Sequence, residues 1–266
     1  MKLALVLLLF LASCTHKQSS IATIHKFAEI PNHLITPETL ILVDIDNTIL
    51  RAESHYGSVE HFEHFEQELS KKNLTDHRIK LEIIRKWEEA QKRIEQVKID
   101  GAIHQFISKA FTKKATILAF TARERSIESL TYNSLAKHNI FMTQLPEFSF
   151  NHTFEHDLIL DHNGKKQKHF STSTFYKGII FASFLNHKGV VFQKFFAEYK
   201  NYAQKHQIPI PSKIILVDDK MYNLDSVNQA IKGYNLDYYG FHILSQFKFD
   251  PEKAKQEEMK LSKTSR

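Results

Sequence analysis

Three short apolar runs punctuate the chain, and each stops abruptly at a polar group. Leu40-Ile41-Leu42-Val43 precedes Asp44, Ile117-Leu118-Ala119-Phe120 precedes Thr121, and Ile214-Ile215-Leu216-Val217 precedes Asp218. Runs without alternation suit parallel strands covered on both faces, so the pattern predicts a sheet buried between helices. Helical periods lie between the runs. Residues 49–98 are charge-rich with almost no Gly or Pro; Ile79, Ile83, Trp87, Ile94 and Val97 fall near helical spacing, with Thr75 as a candidate N-cap. A shorter helix is predicted over Val59 to Leu69, where Phe62 and Phe65 share a side. This stretch reads as a helical lobe, at about 50–98, inserted directly after the first strand. Further helices are predicted over Asp100–Ala110, from Ala122 to about His138, over Val190–His206 and over Asn223–Lys232. Residues 139–182 read as a small β excursion, with a hairpin turn at His162-Asn163-Gly164-Lys165 after Leu158-Ile159-Leu160 and a strand at Gly178–Phe181; Tyr238–Leu244 adds a last strand. The fold class expected is α/β, a Rossmann-like doubly wound parallel sheet.

The two ends differ from this body. Lys2 is followed by an almost wholly apolar stretch over 3–13, closed by the small residues of Leu11-Ala12-Ser13-Cys14, which is the outline of a signal peptide at 1–13. Leu-Ala-Ser-Cys also resembles the lipobox of bacterial lipoproteins. That resemblance implies a mature chain starting at a lipid-bearing Cys14, anchored in a membrane of the bacterial cell envelope, and Thr15 in place of an aspartate points to the outer membrane. An ordinary cleaved signal, with secretion, is the other reading. Residues 14–36 are expected to form a polar tether, 37–250 the folded domain, and 251–266 a charged tail, helical or frayed.

Composition narrows the classes. With 266 residues, 42% hydrophobic and 25% charged, the chain is globular rather than disordered, and long enough for one core plus an inserted lobe. The net charge of +6 favours anionic substrates such as phosphate esters. Its Lys and Arg residues are spread out rather than blocked, so no specific nucleic-acid partner is expected. The single cysteine is Cys14, and its lipidation leaves no free thiol, as suits an oxidising compartment. The 16 histidines show no zinc-ligand spacing.

Open α/β sheets place their chemistry beyond the carboxyl ends of the strands. Here those ends carry Asp44-Ile45-Asp46-Asn47-Thr48, then Thr121, then Lys188 at a helix start, then Asp218-Asp219 followed by Asn223 and Asp225. In this order they resemble the four motifs of the haloacid dehalogenase (HAD) superfamily of phosphatases. Three further pieces, Tyr56-Gly57-Ser58, Thr121-Ala122-Arg123 and Gly178-Ile179-Ile180-Phe181 leading to Lys188-Gly189, resemble an uncharacterised branch of it, the DUF2608 proteins. The resemblance spans about 38–245.

That resemblance implies a Mg²⁺-dependent phosphomonoesterase working through an aspartyl-phosphate. Asp44 would be the nucleophile and Asp46 the general acid and base. Mg²⁺ would be held by the Asp44 carboxylate, the Asp46 backbone carbonyl, Asp218 and, directly or through water, Asp219; a hard cation among close carboxylates relieves their repulsion. Thr121 and Lys188 would hold phosphoryl oxygens, and Arg123 is either a further phosphate contact or an exposed arginine of a first helical turn. Lys177 competes with Lys188 for the phosphate role; Lys188 is preferred because its helix leads directly into the Asp218 strand. Asn223 and Asp225 would orient the metal shell. A receiver domain also uses Asp, Thr, Lys and Mg²⁺, but the Asp-x-Asp-x-Thr order and the inserted lobe argue against it. The other class to weigh is a non-catalytic surface lipoprotein that keeps the fold for binding or host contact. The substrate expected is a phosphorylated small molecule or a phosphoprotein, with nothing in the lobe to choose between them.

Overall fold

The computed structural model describes residues 17–71, 77–157, 168–244 and 247–264. The expected signal peptide, Cys14, the Thr75 cap, the Leu158–Leu160 run and the turn at 162–165 lie outside the described residues. Ten strands and seven α-helices are described. In chain order they are β1 (Ser19–Ile24), β2 (Thr39–Val43), β3 (Leu50–Ala52), α1 (Val59–Lys71), α2 (His77–Gln91), β4 (Gln96–Lys98), α3 (Ile103–Thr112), β5 (Thr116–Thr121) and α4 (Glu128–Lys137). There follow β6 (Asn151–Asp157), β7 (Lys168–Tyr176), β8 (Ile179–Phe181), α5 (Lys188–Lys205), β9 (Lys213–Asp218), α6 (Met221–Ile231), β10 (Asp237–Ile243) and α7 (Pro251–Thr264). Among the described residues no helix is long and apolar enough to cross a membrane.

Eight strands form one sheet in the order β1-β10-β9-β2-β5-β8-β7-β6. All pairs from β1 to β8 are parallel, and β7 and β6 continue antiparallel at one edge. The apolar runs explain the two-faced burial. Along β2 the residues alternate between two cores: Ile41 and Val43 pack with Ile117, Ala119, Ile215 and the α3 residues Phe106 and Ile107. Leu40 and Leu42 pack on the other face with Leu118 and with Phe192, Phe195 and Val227 from α5 and α6. Each residue of such a strand buries its side chain, which is why the run shows no polar alternation.

Connectivity makes β2 the pivot. From β2 the chain moves one way to β5 and β8, then returns through α5 to β9 on the other side of β2, and onward to β10. The crossover from β2 to β5 and the one from β8 back to β9 run in opposite directions on the two sides of β2, and a crevice opens between them at the carboxyl end of the strand.

Several expectations are corrected by the chain's own packing. The tether expected over 14–36 is not one over Ser19–Ile35. Ser19 to Ile24 pair residue for residue with Tyr238 to Ile243, and Phe27, Ile30, Leu34 and Ile35 are buried. Phe27 packs against Phe106 with ring centroids 5.4 Å apart, and its N–H donates to Asp100 Oδ2 at 2.9 Å. An edge strand that leaves most side chains exposed has no apolar run to announce it, and the buried residues after it follow no period. The expected lobe helix ends at Gln91; Val97 lies in β4, which pairs antiparallel with β3, so Leu50–Ala52 and Gln96–Lys98 form a ribbon at the base of the α1–α2 pair. The tail is helical and docked: α7 packs on α1, Ala254 is buried, and the Tyr56 N–H donates to Glu257 Oε2 at 2.8 Å.

Candidate active site

The site grows from the end of β2. The Asp44 N–H continues the ladder by donating to the Val217 carbonyl at 2.9 Å, so the first residue past the strand is still fixed by β9. The chain then turns tightly. The Ile45 carbonyl accepts from the N–H groups of Ile49 and Leu50, both at 2.9 Å, and Asn47 takes a left-handed φ of 57°. Asn is among the few residues that adopt this conformation cheaply. Its amide donates to Glu60 Oε1 at 2.7 Å, which ties the turn to the start of α1.

At the matching end of β9, Asp218 is fully buried and held from several sides. Its carboxylate accepts from the Lys220 N–H at 2.9 Å and from Asn223 Nδ2 at 3.0 and 3.1 Å. Lys188, the first residue of α5, reaches into the crevice between the two strands. Its ammonium donates to Asp44 Oδ1 at 2.6 Å, to Asp218 Oδ2 at 2.7 Å and to the Phe120 carbonyl at 2.6 Å, with the side chain 1% exposed. All three ammonium hydrogens are therefore spent. The backbone makes room for this: a Cβ on Gly189 would lie 2.2 Å from the Ser226 carbonyl, so only glycine lets α5 approach α6 closely enough at that point.

Burial drives the electrostatics. It raises Asp44 well above the ordinary carboxylate range; Lys188 pulls it down, while Asp218, Asp219 and Asp46 push it up. Burial likewise pushes Asp219 up to about 7, against the pull of Lys220. For Lys188 burial alone favours the neutral amine, but Asp218 and Asp44 outweigh it and hold the ammonium above its usual range. The oxygens of Asp44, Asp218 and Asp219 lie within 4.8 Å of one another. Three carboxylates, two of them held toward the protonated form by burial, are a donor set that a hard, oxygen-seeking divalent cation fits.

Asp46 sits apart from that trio, and its partner is Arg123. The guanidinium grips both carboxylate oxygens, Nε to Oδ2 at 2.9 Å and Nη2 to Oδ1 at 2.8 Å, a bidentate pair. Nη1 donates to Thr131 Oγ1 at 3.1 Å, and the guanidinium lies over the Trp87 ring at 5.4 Å. Arg123 is thus a buried clamp on Asp46, not an exposed arginine of a helical turn. The expected helix from Ala122 begins only with a 3₁₀ turn at Arg125–Ile127 ahead of α4, and the Arg123 N–H instead donates to the hydroxyl of the fully buried Thr121 at 3.2 Å.

The structure therefore brings Asp44, Asp46, Thr121, Arg123, Lys188, Asp218, Asp219 and Asn223 to one edge of the sheet. It leaves two candidates elsewhere. Lys177 precedes β8, whose register with β5 puts it at the opposite edge, with its ammonium over the rings of Tyr132 and Tyr176 at 4.5 and 5.2 Å. Asp225 is exposed on α6, two residues and therefore about half a turn beyond Asn223, the residue that does contact Asp218.

A cavity of ≈ 290 Å³ stands over this edge, with Asp44, Asp46 and Asp219 in its floor. Its wall comes from the lobe, through Val59 and Phe62 of α1 and Ile83, Ile84 and Trp87 of α2. Sequence reasoning missed three residues that join lobe to floor: Trp87 under Arg123, and Lys220, whose ammonium bridges Glu63 on α1 at 2.7 Å and Asp219 at 3.4 Å. Lys220 had a signal, since it directly follows the acidic pair. Glu63 had none, being one of many charges on a helix with a solvated side.

No curated protein matches this chain. The family model described as a protein of unknown function, DUF2608, matches residues 23–262, from within β1 to within α7, and the chain belongs to that family.

Proposed function

We propose that this protein is a HAD-type phosphomonoesterase whose nucleophile is Asp44, with α1 and α2 as a cap over the site. The observation that carries the reading is the convergence of Asp44, Lys188 and the Asp218–Asp219 pair at the topological switch point, with Asp46 gripped separately two residues on. Asp44, Asp218 and Asp219 would hold Mg²⁺, which when bound draws charge from a phosphoryl oxygen and offsets the carboxylates.

The chain's own residues account for the rest. Lys188 orients the Asp44 carboxylate and keeps positive charge beside the oxygens that the phosphoryl group brings in. An oxygen of Asp44 attacks phosphorus; the bond from phosphorus to the leaving oxygen breaks, and Asp46 delivers a proton to that oxygen. Water then attacks the aspartyl-phosphate on its phosphorus, Asp46 takes the water proton, and phosphate leaves with Asp44 regenerated. Arg123 takes one lone pair of each Asp46 oxygen and leaves the others for the proton in each transfer. The clamp fixes where Asp46 stands, and Trp87 links that position to the cap. Thr121 supports the Arg123 backbone and borders the phosphoryl position.

The lipobox-like N-terminus supports an envelope location with Cys14 as lipid anchor. The test of the activity is phosphate release from p-nitrophenyl phosphate with and without Mg²⁺, alongside Asp44→Asn. Metal-dependent release that Asp44→Asn abolishes is expected. Absence of metal-dependent release, or full activity in the variant, refutes the reading.

A further inference from the structure

Above the catalytic floor the cavity has an unusual combination of walls. Phe62 and Trp87 meet edge to face at 6.5 Å, and Phe184 and Tyr222, 53% and 65% exposed, stand at the mouth. Between these apolar surfaces four further carboxylates line the space, Glu63, Glu66, Glu88 and Glu124. With Asp44, Asp46 and Asp219 the described lining holds seven acids against two cations, Arg123 and Lys220. Both cations are committed: Arg123 to Asp46 and Thr131, Lys220 to Glu63 and Asp219. Glu124 is fixed by the Ser183 hydroxyl at 2.7 Å and the Phe184 N–H at 2.9 Å, and Glu88 by the Ser126 hydroxyl at 2.5 Å.

We propose that the cavity selects phosphomonoesters whose alcohol carries an organic cation, an amine or quaternary ammonium on a short chain, and discriminates against anionic alcohols. The proposal rests on the phosphatase reading of the floor. A bound divalent cation and a phosphate dianion cancel each other, so the leaving group meets the charge of the glutamates. An anionic leaving group meets like charge, and neither cation of the described lining is free to receive it, which is a repulsive selection. A cation meets carboxylates and aromatic rings together; Arg123 already lies over Trp87, and the exposed rings of Phe184 and Tyr222 are the ones left to attract an ammonium group. At ≈ 290 Å³ the cavity falls just below the range of small-molecule pockets, about 300–1,000 Å³, which suits a short chain rather than a nucleotide.

The test compares three esters of similar size in the presence of Mg²⁺: choline phosphate, its uncharged carbon isostere 3,3-dimethylbutyl phosphate, and 2-carboxyethyl phosphate. The kcat/KM should exceed that of the isostere by about tenfold for choline phosphate and fall below it by a similar factor for the carboxylate. Glu66→Gln with Glu88→Gln should bring the choline-to-isostere ratio toward one. Trp87 is the sole tryptophan, so its emission reads entry into the cavity without turnover. Choline should perturb it at about tenfold lower concentration than 3,3-dimethylbutanol. Equal kcat/KM for the three esters, in a protein that hydrolyses p-nitrophenyl phosphate, overturns the selectivity and leaves the phosphatase standing. Failure to hydrolyse any ester, p-nitrophenyl phosphate included, overturns the phosphatase reading and the substrate proposal with it.

Discussion

Replacing Lys188 by Met gives the sharpest test of how the site is held together. Methionine keeps most of the buried volume, so the perturbation is the loss of charge and of three hydrogen bonds, two of them to carboxylates. Asp44 and Asp218 then stay in a dry crevice without their cation. Removing one partner of a buried ion pair costs about 3–5 kcal/mol, and the fully buried setting here places the change in that range. For a chain of this length that is a fall in Tm of roughly 6–20 °C. The loss should depend on pH. Without Lys188 nothing pulls Asp44 down from the raised value that burial imposes, so its proton stays on longer as pH rises, and a protonated Asp44 needs no cation. The deficit is therefore largest at about pH 8 and shrinks toward about pH 5. The assay is urea unfolding in EDTA of the native and Lys188→Met proteins at both values. Mg²⁺ in place of EDTA should stabilise the variant itself by about 2.7 kcal/mol at a hundredfold excess over its Kd. A deficit below about 1 kcal/mol, within the range of an exposed ion pair, or one equal at both pH values, would refute the reasoning.

The other expectations share the same logic. In the metal-free native protein Asp219 is raised to about 7 and Asp44 is raised as well, so between the ordinary carboxylate range and about 7 the folded state binds more protons than the unfolded one, and stability falls as pH rises through that window; thermal unfolding in EDTA across it reads the slope, which saturating Mg²⁺ should flatten or reverse. Calorimetry in buffers of different ionisation enthalpy should likewise show more protons released per Mg²⁺ at about pH 6 than at about pH 8. Arg123→Met frees Asp46 to wander, and kcat on p-nitrophenyl phosphate should drop by roughly 10²-fold while KM changes little; an unchanged kcat would show that the clamp is not needed for proton transfer. Gly189→Ala forces a Cβ into the Ser226 carbonyl and should cost about 1–3 kcal/mol by urea unfolding, with loss of Mg²⁺-dependent activity as Lys188 shifts beside it.

What could be read from the sequence was the part of the fold whose burial is complete. β2, β5 and β9 announce themselves because both of their faces are covered, and the residues at their ends are then forced to one edge. β1 could not be read this way: it pairs on one side only and keeps Ser19, Ser20, Ala22 and Thr23 exposed, so its pairing rests on backbone groups that any sequence supplies. The helical reading ran past Gln91 because Ile94 and Val97 are also apolar, and apolar spacing alone does not separate a last turn from a three-residue strand. In the site, Asp44 and Asp218 were legible as strand ends. The bidentate grip of Arg123 on Asp46 was not, since it depends on the chain after β5 turning through Thr121 rather than entering a helix at once. The glutamates of the cavity wall look in sequence like any solvated helix face, and only the position of α1 and α2 over the sheet gives them a target.

The direction of β1 has a consequence for access. It runs parallel to every strand as far as β8 and begins at Ser19, so the N-terminal segment enters at the edge of the sheet opposite Asp44 and Asp218, about 20 Å away along a six-residue strand. Gln18 is already pinned, its N–H donating to Asp237 Oδ1 at 3.0 Å. If Cys14 carries lipid, the four residue steps from it to Gln18 span at most about 14 Å. The protein would ride on a short leash with its back to the bilayer and the mouth between Phe184 and Tyr222 pointing outward. Headgroups of its own leaflet would then be out of reach, and whatever enters the cavity would come from the surrounding fluid or a facing surface.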